Sequence, residues 1–183
     1  MGRKRILCIE DNDSNLRLVS RIVEGEKHEF LMAVDGLTAL ELAQSAGDAE
    51  AEAQGHNALG ILARQEGDYV AAQRHLERSL ALANGAGTPS ARVAALNNLA
   101  HLRGETGDID AALALLEQAL ALGVQQGDRH HEAALYNHRA DLLHRAGREE
   151  EAMASLKAAV TIYAEIGMES GDWQPEVWKL TEW

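Results

Sequence analysis

Small and apolar residues return along this chain at one constant step, the step that separates Leu76 from Leu116 and Leu116 from Leu156. Ala72, Ala112 and Ala152 hold a second phase of the step, and Gly60, Ala100 and Ala140 a third. Asn57, Asn97 and Asn137 keep the same spacing, and Gly67-Asp68 returns as Gly107-Asp108 and then as Gly147-Arg148. A fixed period of about 40 residues marks a repeat unit that buries its apolar face against the next copy. Within each step the apolar spacing is helical, with a glycine between two runs. The pattern predicts helices over roughly 37–46, 49–66, 69–84, 89–106, 109–126, 129–146 and 149–166, a short one from about 175, and no strand between Ala49 and Gly167.

The phases have a direct physical reading. Gly or Ala at 60, 100 and 140 lets the paired helix approach closely, and Ala at 72, 112 and 152 does the same from the other side. Leu76, Leu116 and Leu156 fill the space between. Glycine at 67, 107 and 147 ends the first helix of each pair in a conformation that other residues resist. The stretch Leu59-Gly60, Gly67-Asp68-Tyr69, Ala72 and Leu76 resembles the tetratricopeptide repeat, with three copies over Ala53–Gly167. The copies are longer than that family's usual repeat, in their second helices. The resemblance implies a mainly α, TPR-type right-handed helical solenoid whose concave groove binds a peptide or protein. Two departures stand out. His56 and Leu96 replace the early aromatic that Tyr136 keeps, and Arg139 stands where Leu59 and Leu99 stand, which predicts imperfect packing in the third copy.

The first 46 residues read differently. Arg5–Glu10 and His28–Val34 are strand-like, and Leu16, Val19 and Val23 give one helical stripe between them. Arg5 through Asn15, together with Phe30 through Leu40, resembles the opening β-α-β-α of a response-regulator receiver, a flavodoxin-like fold. After Gln44 the resemblance stops: no strand with the family's phosphorylated aspartate follows, so no phosphorelay activity is expected. Glu10 and Asp11 match that family's magnesium-binding acids, but two carboxylates alone hold Mg²⁺ weakly. Leu37–Ala46 fits the receiver's second helix. It also lies one full step before the run that contains Ser79-Leu80-Ala81-Leu82, and so fits the second helix of a preceding repeat. The expected organisation is therefore a truncated receiver-like segment at 1–46, repeats at 47–170 and a capping helix at 171–183, joined as a natural or engineered chimera. Val177, Trp178 and Leu180 would cover the solenoid's end.

Charge narrows the partners. Lys and Arg total 17 against 29 Asp and Glu, a formal −12, which repels phosphate backbones and anionic membranes. Neither nucleic acid nor membrane is an expected partner. Cys8 is the one cysteine, so no intrachain disulfide forms, and the short apolar run Ile6-Leu7-Cys8-Ile9 is too brief for a signal sequence. The expected location is cytoplasmic. That run would also leave one strand edge bare, predicting a homodimer through antiparallel Ile6, Leu7, Cys8 and Ile9, with Arg3-Lys4-Arg5 beside Glu10-Asp11 of the second copy.

No phosphate loop, nucleophile elbow, HExxH or CxxC is present, and no cofactor is expected. His130-His131-Glu132 reads as a solvated turn. The repeat phase puts His101, Glu105, Asp141, His144 and Arg145 on the first helices of the second and third copies. There His101, Asp141 and His144 could support a metal-assisted hydrolase, the main rival to a binding scaffold; the other is an inactive signalling fragment. Asn57, Asn97 and Asn137 form a ladder on the same face, each offering a donor and an acceptor to an extended peptide backbone, or simply inherited by duplication.

Overall fold

The computed structural model describes residues 5–9, 29–33, 36–85 and 88–167. Strands β1 (Arg5–Ile9) and β2 (Glu29–Ala33) pair in parallel, with Arg5 opposite Glu29 and Ile9 opposite Ala33. Among the described residues seven helices follow: α1 (Gly36–Ala46), α2 (Ala49–Gln65), α3 (Tyr69–Gly85), α4 (Pro89–Glu105), α5 (Ile109–Gln126), α6 (Arg129–Arg145) and α7 (Glu149–Glu165). Each matches the helix expected from the repeat period to within a residue at either end. Between 49 and 167 no strand occurs among the described residues. Glu10, Asp11, the stripe of Leu16, Val19 and Val23, and the capping helix at 171–183 lie outside the described residues. No described helix is long and apolar enough to cross a membrane.

The chain divides into two compact units, Met1–Ala91 and Arg92–Trp183. In the first, α1 lies against the strand pair and also against α2, which in turn packs on α3. In the second, α6 packs on α5 and on α7.

Helix ends are built alike. After α2, the Gly67 amide donates to the Arg64 carbonyl at 3.0 Å and the Asp68 amide to the Ala63 carbonyl at 2.9 Å, with Gly67 at φ +81°. The same pair of bonds closes α4 at Gly107 and Asp108 and α6 at Gly147 and Arg148. This left-handed stop satisfies carbonyls that the helix leaves open. Glycines of positive φ stand at 47, 67, 107, 127, 147 and 167, so the turns fall on half-steps of the repeat. The residue after the glycine then caps the next helix: carboxylates of Asp48, Asp68, Asp108 and Asp128 each accept an amide from three residues on. Arg148 has no such bond.

The core consists of the periodic positions. Ala72, Leu76, Ala100, Ala112, Leu116, Ala140, Ala152 and Leu156 are all fully buried. Each buried leucine contributes roughly 1.5–3 kcal/mol of transfer free energy. At Gly60 the approach is close, since a Cβ there would sit 2.6 Å from Leu76 Cγ and Cδ2. Arg139, where imperfect packing or an end to the core is expected, has a polar partner. Its guanidinium donates to Ser155 Oγ at 2.7 Å, and that buried hydroxyl donates to the Glu151 carbonyl at 2.9 Å. Leu99 and Leu115 hold the corresponding positions of the preceding copy.

Candidate peptide-binding face

The expected asparagine positions fall on the first helix of each repeat, α2 in the first unit and α4 and α6 in the second. Asn57 is half-buried on α2, in the first unit. Asn97 on α4 and Asn137 on α6 are half-buried in the second. There α4 and α6 are tied together at two points. Arg145 donates from Nη2 to the Gly104 carbonyl at 2.8 Å, across a site where a Cβ on Gly104 would meet Leu142 Cδ2 at 2.6 Å. Further along, Asn97 Oδ1 lies 2.9 Å from His138 Nδ1. Since Oδ1 can only accept, His138 carries its proton on Nδ1 and donates it.

His138 is 7% exposed, and His101 stacks on its face with ring centroids 3.5 Å apart and planes 11° from parallel. Sequence reading singles out His101 but misses His138, whose counterparts one and two steps back are Asn98 and Ala58. A residue that appears once in a repeat gives no periodic signal.

Of the residues proposed as catalytic, His101 lies on α4 and Asp141 and His144 on α6. Asp141 is half-buried on α6, while His144 Nδ1 lies 2.9 Å from Glu149 Oε2 at the start of α7. Among the described residues, no three His, Cys, Asp or Glu side chains are grouped so that they could hold a metal ion. Residues 130–132, expected as a solvated turn, are the first turn of α6 and only partly solvated. His130 and His131 are exposed, but Glu132 is buried and bound by Arg129 Nη1 at 2.7 Å, and the same guanidinium also holds Glu165. The Asp128 carboxyl lies below its ordinary range because the His131 amide, then the His131 ring, donate to it.

In the first unit, the histidine at the departed aromatic position meets a partner that sequence reading does not single out. His56 Nδ1 lies 2.9 Å from His75 Nδ1 across α2 and α3. Burial, then the neighbouring His75, lowers the His56 pKa below its ordinary 6.5, and burial, then Arg74, lowers that of His75.

No curated protein matches the chain in sequence. Among solved structures, BtubC (BKLC) of P. vanneervenii superposes with a TM-score of 0.63 at 21% identity, covering 72% of this chain. The chain spans only 55% of that protein's length. The nearly identical TPR-like repeats of a Podosopora anserina protein assigned as a kinesin light chain superpose with a TM-score of 0.57 at 17% identity, covering 88% of this chain and 81% of that one. At these identities the likeness shows the fold alone. Two family models, each described as tetratricopeptide repeat, match residues 56–90 and 92–165, together more than half of the chain. Over those residues the chain belongs to the tetratricopeptide-repeat family.

Proposed function

We propose that the chain is a scaffold that holds an extended segment of a partner protein or peptide against its first helices. Tetratricopeptide repeats suggest protein interaction in general. The observation that carries the finer reading is the row on α4 and α6. Asn97, His101, Asn137 and Asp141 are half-buried there, and the helices beneath them are locked by the Asn97–His138 bond and the His101–His138 stack. With its Oδ1 held by His138, the Asn97 amide has a fixed direction and loses little freedom when its NH2 group meets a peptide carbonyl, which favours affinity. Pull-down with mass spectrometry, comparing the intact chain with an Asn97→Ala, Asn137→Ala double variant, tests this. A partner recovered equally well by both, with the variant folded, refutes the asparagine clamp.

The beginning of the chain supports a second element of the proposal. A parallel β1–β2 pair needs a crossover connection, as in the opening of a receiver. On that reading the segment is a receiver remnant without phosphorelay chemistry, in a cytoplasmic chimera that dimerises through Ile6, Leu7, Cys8 and Ile9. Light scattering on the intact chain and on a Leu7→Pro variant decides the dimer; a monomeric intact chain at micromolar concentration rules it out. The hydrolase alternative built on His101, Asp141 and His144 gains no support from the position of His144, which lies against Glu149.

A further inference from the structure

The His56–His75 contact has a geometry that fixes its chemistry. The two Nδ1 atoms are 2.9 Å apart and the ring centroids 5.2 Å apart. The second distance is the first plus roughly one ring width, so each nitrogen points straight at the other. Such a line holds one proton, donated by one imidazole and accepted by the lone pair of the other. A metal ion has no room between nitrogens this close, because each zinc–nitrogen bond alone needs about 2.0 Å.

Protonation of this pair is therefore stepwise. A first added proton enters the outer Nε2 of the donor ring and leaves the bond intact, now charge-assisted. A second proton must go to the accepting Nδ1, the atom the bond occupies. It breaks the bond and sets two positive rings nitrogen to nitrogen. The surroundings add to the repulsion. From α3, Arg74 and Arg78 act on His56, and Arg74 acts on His75. From α2, only Glu52 opposes them, 3.9 Å from His56 Nε2, and it is already held by Arg78 at 2.9 Å. Among the described residues of this unit the other helix packed on α2 is α1, whose one ionisable side chain, Glu41, is exposed.

We propose that the His56–His75 pair is an acid-sensitive latch on the first repeat, joining α2 to α3 at neutral pH and releasing them when a second proton enters. The repeat comparison points the same way. The positions one step on are Leu96 and Leu115, and two steps on Tyr136 and Ser155, so only the first copy places two titratable rings at this junction. The latch is independent of what the scaffold binds.

Hydrogen exchange on the full chain at about pH 7.5 and about pH 5 tests it, with α6 and α7 as the internal reference. A His75→Asn variant, which keeps a side-chain amide but cannot take up the proton, supplies the control, and His56→Asn a second. The expected result is at least tenfold faster exchange in α2 and α3 on acidification, absent from α6 and α7 and much reduced in whichever variants fold. Histidine NMR should show two coupled steps for the pair. Equal acid sensitivity in the intact chain and a folded variant, or single independent titrations of His56 and His75 near 6.5, would overturn the latch.

Discussion

Replacing Gly60 with alanine sets helix propensity against packing. Alanine at the equivalent positions 100 and 140 is fully buried in the same fold, and an interior Gly→Ala change gains about 0.8–1.0 kcal/mol of propensity. The added Cβ, however, would lie 2.6 Å from both Cγ and Cδ2 of Leu76, a fully buried side chain. Cγ is not a free end, so the whole leucine must shift, and overpacking of this kind costs about 1–3 kcal/mol. Gly60→Ala is therefore expected to be neutral to destabilising by up to about 2 kcal/mol. Leu76→Ala alone should cost about 2–5 kcal/mol. In that background the same Gly60→Ala change should stabilise by about 1 kcal/mol, because the obstruction is gone. The cycle's coupling energy, about 1–3 kcal/mol, then isolates the clash. Urea denaturation followed by far-ultraviolet circular dichroism on all four proteins gives it, provided the m-values agree. A coupling within about 0.5 kcal/mol of zero would refute the reasoning, since Leu76 would then move aside freely.

Further outcomes are expected. Ser155→Ala should destabilise by about 1–3 kcal/mol by leaving a half-buried Arg139 donor without its acceptor, and adding Arg139→Leu should recover much of that loss in the same denaturation assay. Asp108→Ala should cost about 1 kcal/mol through loss of the α5 cap, whereas Arg148→Asp, which would introduce the missing cap at α7, should raise Tm by calorimetry. For Asp128, the folded carboxyl lies below its ordinary value of 3.8, so the native state binds fewer protons than the unfolded one near that value. Its contribution is present above that value and is lost as pH falls through the folded one. Asp128→Asn should thus show a smaller Tm loss between about pH 5 and about pH 2 than the intact chain.

The helices, their turns and their buried stripes are legible in the sequence because each is written several times. Gly67, Gly107 and Gly147 share one backbone role, and Leu76, Leu116 and Leu156 one kind of buried site, so the period reports them together. The contacts that distinguish one copy from another are not legible. His56 with His75, Asn97 with His138 and Arg139 with Ser155 each occur once, between helices whose adjacency and side-chain directions only the fold supplies. A partial signal exists. Positions 56 and 75 step together through His with His, Leu with Leu and Tyr with Ser, a joint change that marks neighbours. Glu132 has no such signal: its burial depends on Arg129, which also holds Glu165 on the following helix.

The regular placing of the turn glycines also bears on how such a chain can change by recombination. An exchange in register between Gly67-Asp68 and Gly107-Asp108 adds or removes one whole copy, and the new junction still reads glycine then aspartate. The left-handed stop and the cap of the following helix are therefore rebuilt at the joint without any point substitution. A slip of one half-step would keep a turn glycine as well, but would place a second helix where a first helix belongs, setting the larger Leu80, Leu120 and Val160 in the place of the small 60-phase residues. Repeat number can thus change in whole pairs at little structural cost, while a half-step slip is opposed by the close helix approach that the small residues at 60, 100 and 140 allow.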